Sequence, residues 1–190
     1  MPRLAIFASG NGSNTQRIVE YFDGNPTITI NLILSNNSEA YVLSRAETLG
    51  IPAMVFGKPT FYETNRIPEI LAANNIDFLI LAGFLWLIPQ NILSAYPGKI
   101  INIHPALLPK YGGKGMYGMR VHKAVIAAGD HESGITIHYV DECYDEGRII
   151  FQARCLVSEH DTPEMLAEKV HQLEYRYFAE VIEKVVGRGT

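Results

Sequence analysis

The chain has 190 residues, 47% hydrophobic and 19% charged, with a net charge of −4. That balance suits a water-soluble globular protein with a full core and argues against broad affinity for nucleic acid or membrane surfaces, which draws on clustered Lys and Arg. No apolar stretch is long enough to span a bilayer. The two cysteines, Cys143 and Cys155, stand at no metal-like spacing, so neither a disulfide framework nor a metal site is expected, and a reducing cytoplasmic setting is.

In chain order, apolar strand-like runs near 3–8, 28–34, 53–56, 77–82 and 99–103 alternate with amphipathic helical patterns near 14–23, 40–49, 61–74 and 89–95. Phe78-Leu79-Ile80-Leu81-Ala82 is wholly apolar, as a parallel strand covered on both faces should be. A helix near 118–129 precedes two further strands, 134–140 and 148–154. The acidic connection between them is too short for a parallel crossover, so they should pair antiparallel. A last helix, about 162–185, is capped by Asp161 or Thr162, with Pro163 in its first turn. The expected fold is α/β: one domain over 1–190 with an open, mostly parallel, Rossmann-like sheet, helices on both faces and an antiparallel pair near the C-terminus.

The first strand runs into Ala8-Ser9-Gly10-Asn11-Gly12-Ser13-Asn14-Thr15-Gln16. A dinucleotide fingerprint would need a third glycine where Thr15 stands and an acid after the second strand, which ends Ser35-Asn36-Asn37. A P-loop would need a following Lys-Ser/Thr pair, which is absent. Two readings remain open: Gly12, Ser13 and Asn14 offer a helix N-terminus to one phosphate monoester, or they only form a tight turn and an N-cap.

The run 99–103 delivers Asn102 and His104 at i and i+2, on one face of the strand, before Pro105 ends it. An amide beside an imidazole can stabilise charge in a tetrahedral intermediate, although a polar pair satisfying the next loop fits as well. The loop Asp141-Glu142-Cys143-Tyr144-Asp145-Glu146-Gly147 reads first as a turn; an acid there that reached His104 would orient it and raise its pKa. His122, His131 and His138 make no metal spacing and read as surface or packing residues. Cys143 has no activating base in sequence and reads as a bystander.

Gly10-Asn11-Gly12-Ser13-Asn14, Leu81-Ala82-Gly83-Phe84, Asn102-Ile103-His104-Pro105-Ala106-Leu107-Leu108-Pro109-Lys110-Tyr111 and Tyr144-Asp145-Glu146-Gly147 occur in that order. Together they resemble the phosphoribosylglycinamide formyltransferases, over essentially the whole chain. The resemblance implies transfer of the formyl group of 10-formyltetrahydrofolate, a co-substrate, to the amine of 5′-phosphoribosylglycinamide in purine biosynthesis, without a metal. It implies small-molecule substrates, no nucleic-acid or membrane partner, and a monomer or homodimer. It assigns Asn102, His104 and Asp145 to catalysis, Gly12, Ser13 and Asn14 to the phosphate, and Glu174 to the ribose and glycinamide. His171 stands one turn earlier, where the family often has glutamine. Leu85, Trp86, Leu87 and Ile88, with Val140 and Asp141, would line the folate pocket. Trp86 replaces a more usual polar residue, so a packing role is open there too. The glycine-rich stretch 114–120 is longer than in many relatives and reads as a lid or a plain surface insertion. A formyltetrahydrofolate hydrolase and a methionyl-tRNA formyltransferase would each bring an added domain, and a mere binding module would not call for the catalytic trio.

Overall fold

The computed structural model describes residues 1–187. In chain order the elements are β1 (Arg3–Phe7), α1 (Ser13–Phe22), β2 (Thr29–Ser35), α2 (Val42–Thr48), β3 (Ala53–Val55), α3 (Lys58–Tyr62) and α4 (Arg66–Ala73). They continue with β4 (Phe78–Leu81), α5 (Gln90–Ala95), β5 (Ile100–His104), α6 (Met119–Ala128), β6 (Glu132–Tyr139), β7 (Ile149–Leu156) and α7 (Pro163–Gly187). The strands described form one sheet of seven in the order β3-β2-β1-β4-β5-β6-β7. β1 through β5 run parallel, while β6 pairs antiparallel with both β5 and β7.

Each face of the sheet has its own apolar layer. Ile6, Ile33, Ile80, Ile101 and Ile137 meet Ile18 of α1, Val42 of α2, Val125 of α6 and Phe178 of α7 on one side. Phe7, Leu34, Leu79 and Ile100 meet Phe61, Ile67, Leu71 and Ile92 of α3, α4 and α5 on the other. The alternation along β1 and β4 explains why both strands read as unbroken apolar runs: odd and even residues feed different layers.

Two elements depart from the sequence expectation. The helix expected over 61–74 is two, α3 and α4, because the Thr64 hydroxyl donates back to the Thr60 carbonyl (2.8 Å) and accepts the Arg66 N–H (3.2 Å), turning the chain between them. The last helix runs to Gly187, and of the two candidate caps Thr162 serves: its hydroxyl accepts the Met165 N–H at 3.3 Å, while Asp161 accepts from the Ser158 N–H and Lys169. No described helix is long and apolar enough to cross a membrane.

From β1 the chain proceeds outward through β2 and β3, then returns to place β4 on β1's other side. At such a reversal the loops leaving two neighbouring parallel strands diverge to opposite faces and open a crevice at their carboxyl ends. The glycine turn after β1 and the 83–88 segment after β4 flank that crevice, and the Ser9 hydroxyl ties them by accepting the Leu85 N–H at 3.0 Å.

Candidate active site

A cavity of about 630 Å³ fills this crevice and extends across the carboxyl end of β5 to the β6–β7 loop. Its first wall is the glycine turn. Gly12 adopts φ 75°, and a side chain there would lie 2.4 Å from the Val42 methyl, so only glycine lets the turn seat against α2. α1 then starts at Ser13. No side chain caps it, and the first main-chain bond into the helix runs from the Gln16 N–H to the Gly12 carbonyl (3.0 Å), leaving the N–H groups of the first turn directed out of the helix end. The expectation of a plain Ser or Asn cap is thereby set aside. Asn14 instead donates through Nδ2 to Glu174 Oε2 on α7, at 2.8 Å.

Glu174 is 6% exposed; burial pushes its carboxyl above the ordinary range against the opposing pull of Asn14 and His171. His171, three residues earlier, shares the cavity-facing side of α7, stacks on Tyr175 and turns its ring edgewise toward His122 of α6. His122 was expected to be a packing or surface residue. It is buried, Nδ1 finds no partner, and it borders the cavity, with burial and the neighbouring histidines pushing its pKa down to about 4.

Asn102 and His104 stand at the end of β5, as the two-residue period requires. The antiparallel register sets Asn102 opposite His138 and His104 opposite Thr136. Asn102 Nδ2 donates to His138 Nε2 at 3.0 Å, and His138 Nδ1–H donates to the Tyr139 carbonyl at 2.9 Å, a pairing that fixes the neutral tautomer. One Nδ2 proton of Asn102 remains for a ligand. His138, read from sequence as packing or surface, is therefore part of this cluster, and only the cross-strand register could have revealed it.

His104 is 4% exposed, donates from Nε2 to the Tyr111 carbonyl at 2.7 Å, and faces Asp145 Oδ2 across 3.4 Å from Nδ1. Burial lowers its pKa more than Asp145 and the Tyr111 carbonyl raise it. The expected upward shift from a nearby acid is thus overturned: the imidazole rests neutral because desolvation outweighs a carboxylate that is close but not hydrogen-bonded. Asp145 adopts φ 59° in the tight β6–β7 turn, where its Oδ2 also accepts the Gly113 N–H at 3.0 Å and Oδ1 lies 3.6 Å from His138 Nε2. Burial raises its pKa, but His138, His104 and the Gly113 N–H outweigh burial and hold it below the usual carboxylate value. The turn expected from Asp145-Glu146-Gly147 and the acid expected beside His104 are the same feature.

Leu85, Trp86, Leu87 and Ile88 line the opposite wall with Val140. Trp86 also packs in a cluster with Phe56, Phe61, Tyr62 and Phe84, ring centroids 5.7 to 6.3 Å apart, so it serves the core and the cavity together. Asp141 is exposed and off the cavity wall; its carboxylate accepts the Cys143 N–H at 3.0 Å, shaping the loop. Residues 113–118 overhang the cavity, and Lys114 and Arg120 are the Lys and Arg on its wall. Among the described residues no group of three or more His, Cys, Asp or Glu is placed to hold a metal ion.

A formyl transferase family model matches residues 2–182. Phosphoribosylglycinamide formyltransferase of Bacillus subtilis is 39% identical, covering 98% of this chain and 96% of that protein. The chloroplastic phosphoribosylglycinamide formyltransferase of Arabidopsis thaliana is 42% identical over 95% of this chain, which spans 64% of the plant protein's length. The solved phosphoribosylglycinamide formyltransferase of Streptococcus pneumoniae superimposes with a TM-score of 0.87 at 36% identity, covering 98% of this chain and 99% of that one. With the match spanning nearly every element that builds the cavity, the chain belongs to the formyl transferase family, among its phosphoribosylglycinamide formyltransferases.

Proposed function

We propose that residues 1–190 act as one cytoplasmic formyltransferase domain that moves the formyl group of 10-formyltetrahydrofolate to the amine of 5′-phosphoribosylglycinamide. The N-terminal half would hold the ribonucleotide phosphate, and the C-terminal half the folate and the catalytic loop. One observation carries this reading: the glycine turn, Asn102, His104 and Asp145 all open on a single cavity of about 630 Å³, room for a formyl donor and a phosphorylated amine to meet.

In this reading the phosphate rests on the Gly12-Ser13-Asn14 turn, with Glu174 and His171 beside the ribose and glycinamide. The pterin lies against Leu85, Trp86, Leu87, Ile88 and Val140, near the main chain of Asp141. The amine attacks the formyl carbon, and charge gathers on the formyl oxygen. The free Nδ2 proton of Asn102 meets that oxygen. Asp145, ionised at neutral pH, accepts the proton the amine sheds, directly or through water. His104, neutral at rest, gains positive character only as the adjacent charge develops, which favours the tetrahedral intermediate over the ground state. The proton then passes to the folate nitrogen as the C–N bond breaks. The family's members supply no covalent nucleophile in this scheme, in keeping with Cys143 standing exposed, its thiol pushed up by Glu146 and burial.

The decisive experiment follows folate absorbance with and without the ribonucleotide. Turnover that requires the amine supports the transferase; turnover with water alone makes the protein a hydrolase, and binding without turnover makes it a folate-binding module.

A further inference from the structure

The phosphate turn is held from behind by one side chain that the scheme above does not use. Arg45 of α2 donates from Nε to the Asn11 carbonyl and from Nη2 to Asn11 Oδ1, each at 2.8 Å, and from Nη1 to Gln16 Oε1 in the first turns of α1. Its guanidinium lies 4.9 Å from the Tyr41 ring centre, which fixes the plane of the fork. The same helix anchors the turn twice more: the Val42 N–H donates to the Gly10 carbonyl at 3.1 Å, and the Val42 side chain fills the space over Gly12.

Two properties separate Arg45 from an ordinary surface arginine. It spans the turn, gripping Asn11 before Gly12 and Gln16 after Ser13, so it fixes both ends of the segment whose N–H groups face the cavity. It also makes no ion pair with any Asp or Glu among the described residues, only bonds to neutral oxygens. Its charge is left to act on whatever occupies the turn. Arg45 stands behind the cavity wall and Asn11 stands in it.

Resting on the reading that the turn holds the ribonucleotide phosphate, we infer that Arg45 is a positioning residue that sets the turn for a dianionic phosphate and supplies the positive charge behind it. It never touches the reacting atoms. Its effect therefore falls on ribonucleotide affinity and leaves folate affinity and the chemical step alone.

Arg45→Met and Arg45→Lys test this by steady-state kinetics and by melting in inorganic phosphate. The Met variant should raise the KM for the ribonucleotide about tenfold or more, with folate KM within about twofold and kcat little changed. Lys, which keeps the charge but loses the fork, should recover part of that affinity. The ribonucleotide KM should climb with ionic strength in wild type and Lys and stay flatter in Met. An unchanged ribonucleotide KM in the Met variant overturns the inference, as does a parallel rise in both KM values with a fall in kcat, the mark of a mere strut. Should the wild type transfer no formyl group, the functional reading fails, and the melting arm still decides. Phosphate that raises the Tm of wild type and not of the Met variant supports Arg45, and equal shifts overturn it.

Discussion

Asp145 is a partly enclosed carboxylate kept ionised by what surrounds it, and that sets its test. Asp145→Asn preserves size and the acceptor for the Gly113 N–H but removes the charge. A proton acceptor of this kind contributes about 10²- to 10⁴-fold, so kcat should fall by about that much with both KM values nearly unchanged; steady-state kinetics with each substrate varied would check it, and a wild-type kcat would remove Asp145 from the scheme. His122 gives a second test at this scale. Its pKa is about 4 in the fold against about 6.5 unfolded, so the unfolded chain binds more protons between those values. Its contribution is complete above pH 6.5 and is lost as pH falls toward 4, roughly 3 kcal/mol in all at 1.36 kcal/mol per unit. His104, shifted the same way, adds to that slope. Urea unfolding from pH 7 to pH 4 should show His122→Gln losing less stability than wild type.

Among elements, β5 is where sequence reading reached furthest. Asn102 and His104 alternate with Ile101 and Ile103, and period two on an apolar strand is enough to aim both polar side chains alike. His138 escaped because its role comes from pairing across strands: nothing within Gly134–Val140 tells which β5 residue it will face. The break between α3 and α4 escaped for a related reason, since Thr64 acts through two local bonds that leave no trace in the apolar period. Arg45 sits on a short helix with an unremarked polar face, and its purpose depends on a turn thirty-four residues earlier. Even the direction of the His104 shift needed coordinates, because proximity to an acid is visible in a motif and burial is not. The β6–β7 turn makes the element-scale prediction. A side chain at Gly147 would meet the Tyr139 carbonyl at 1.7 Å, so Gly147→Ala must move the turn. A cost of about 1–3 kcal/mol is expected, and because Asp145 rides on the same turn, kcat should fall tenfold or more. Thermal melts paired with kinetics would show both; intact kcat would mean the turn tolerates the shift without carrying its acid along.

Across the whole molecule, the cavity depends on α7 lying against the sheet and against α1. Phe178 is 1% exposed in the layer shared by Ile18, Ile6 and Ile101, one helical turn beyond Glu174. Phe178→Ala should cost about 3–5 kcal/mol. By loosening α7 it should also weaken the Glu174–Asn14 link and raise the ribonucleotide KM more than the folate KM. Denaturant midpoints and the two KM values measure this, and equal effects on both substrates would argue that α7 supports the fold without tuning the phosphate end. The open α/β plan was legible from alternating runs because each apolar layer is built from local periods. The joining of two distant loops into one cavity was not, since it follows from the order in which strands are laid down.

The main-chain N–H of Gly113 resting on the Asp145 carboxylate ties an overhanging glycine stretch to the charge of the reacting acid. By reciprocity, anything that peels residues 113–118 away strips a donor from that carboxylate and strengthens its hold on a proton, while deprotonating the acid draws the stretch back down. Covering the reactants and arming the base are thus one equilibrium, and an uncovered centre is a weaker chemist than a covered one.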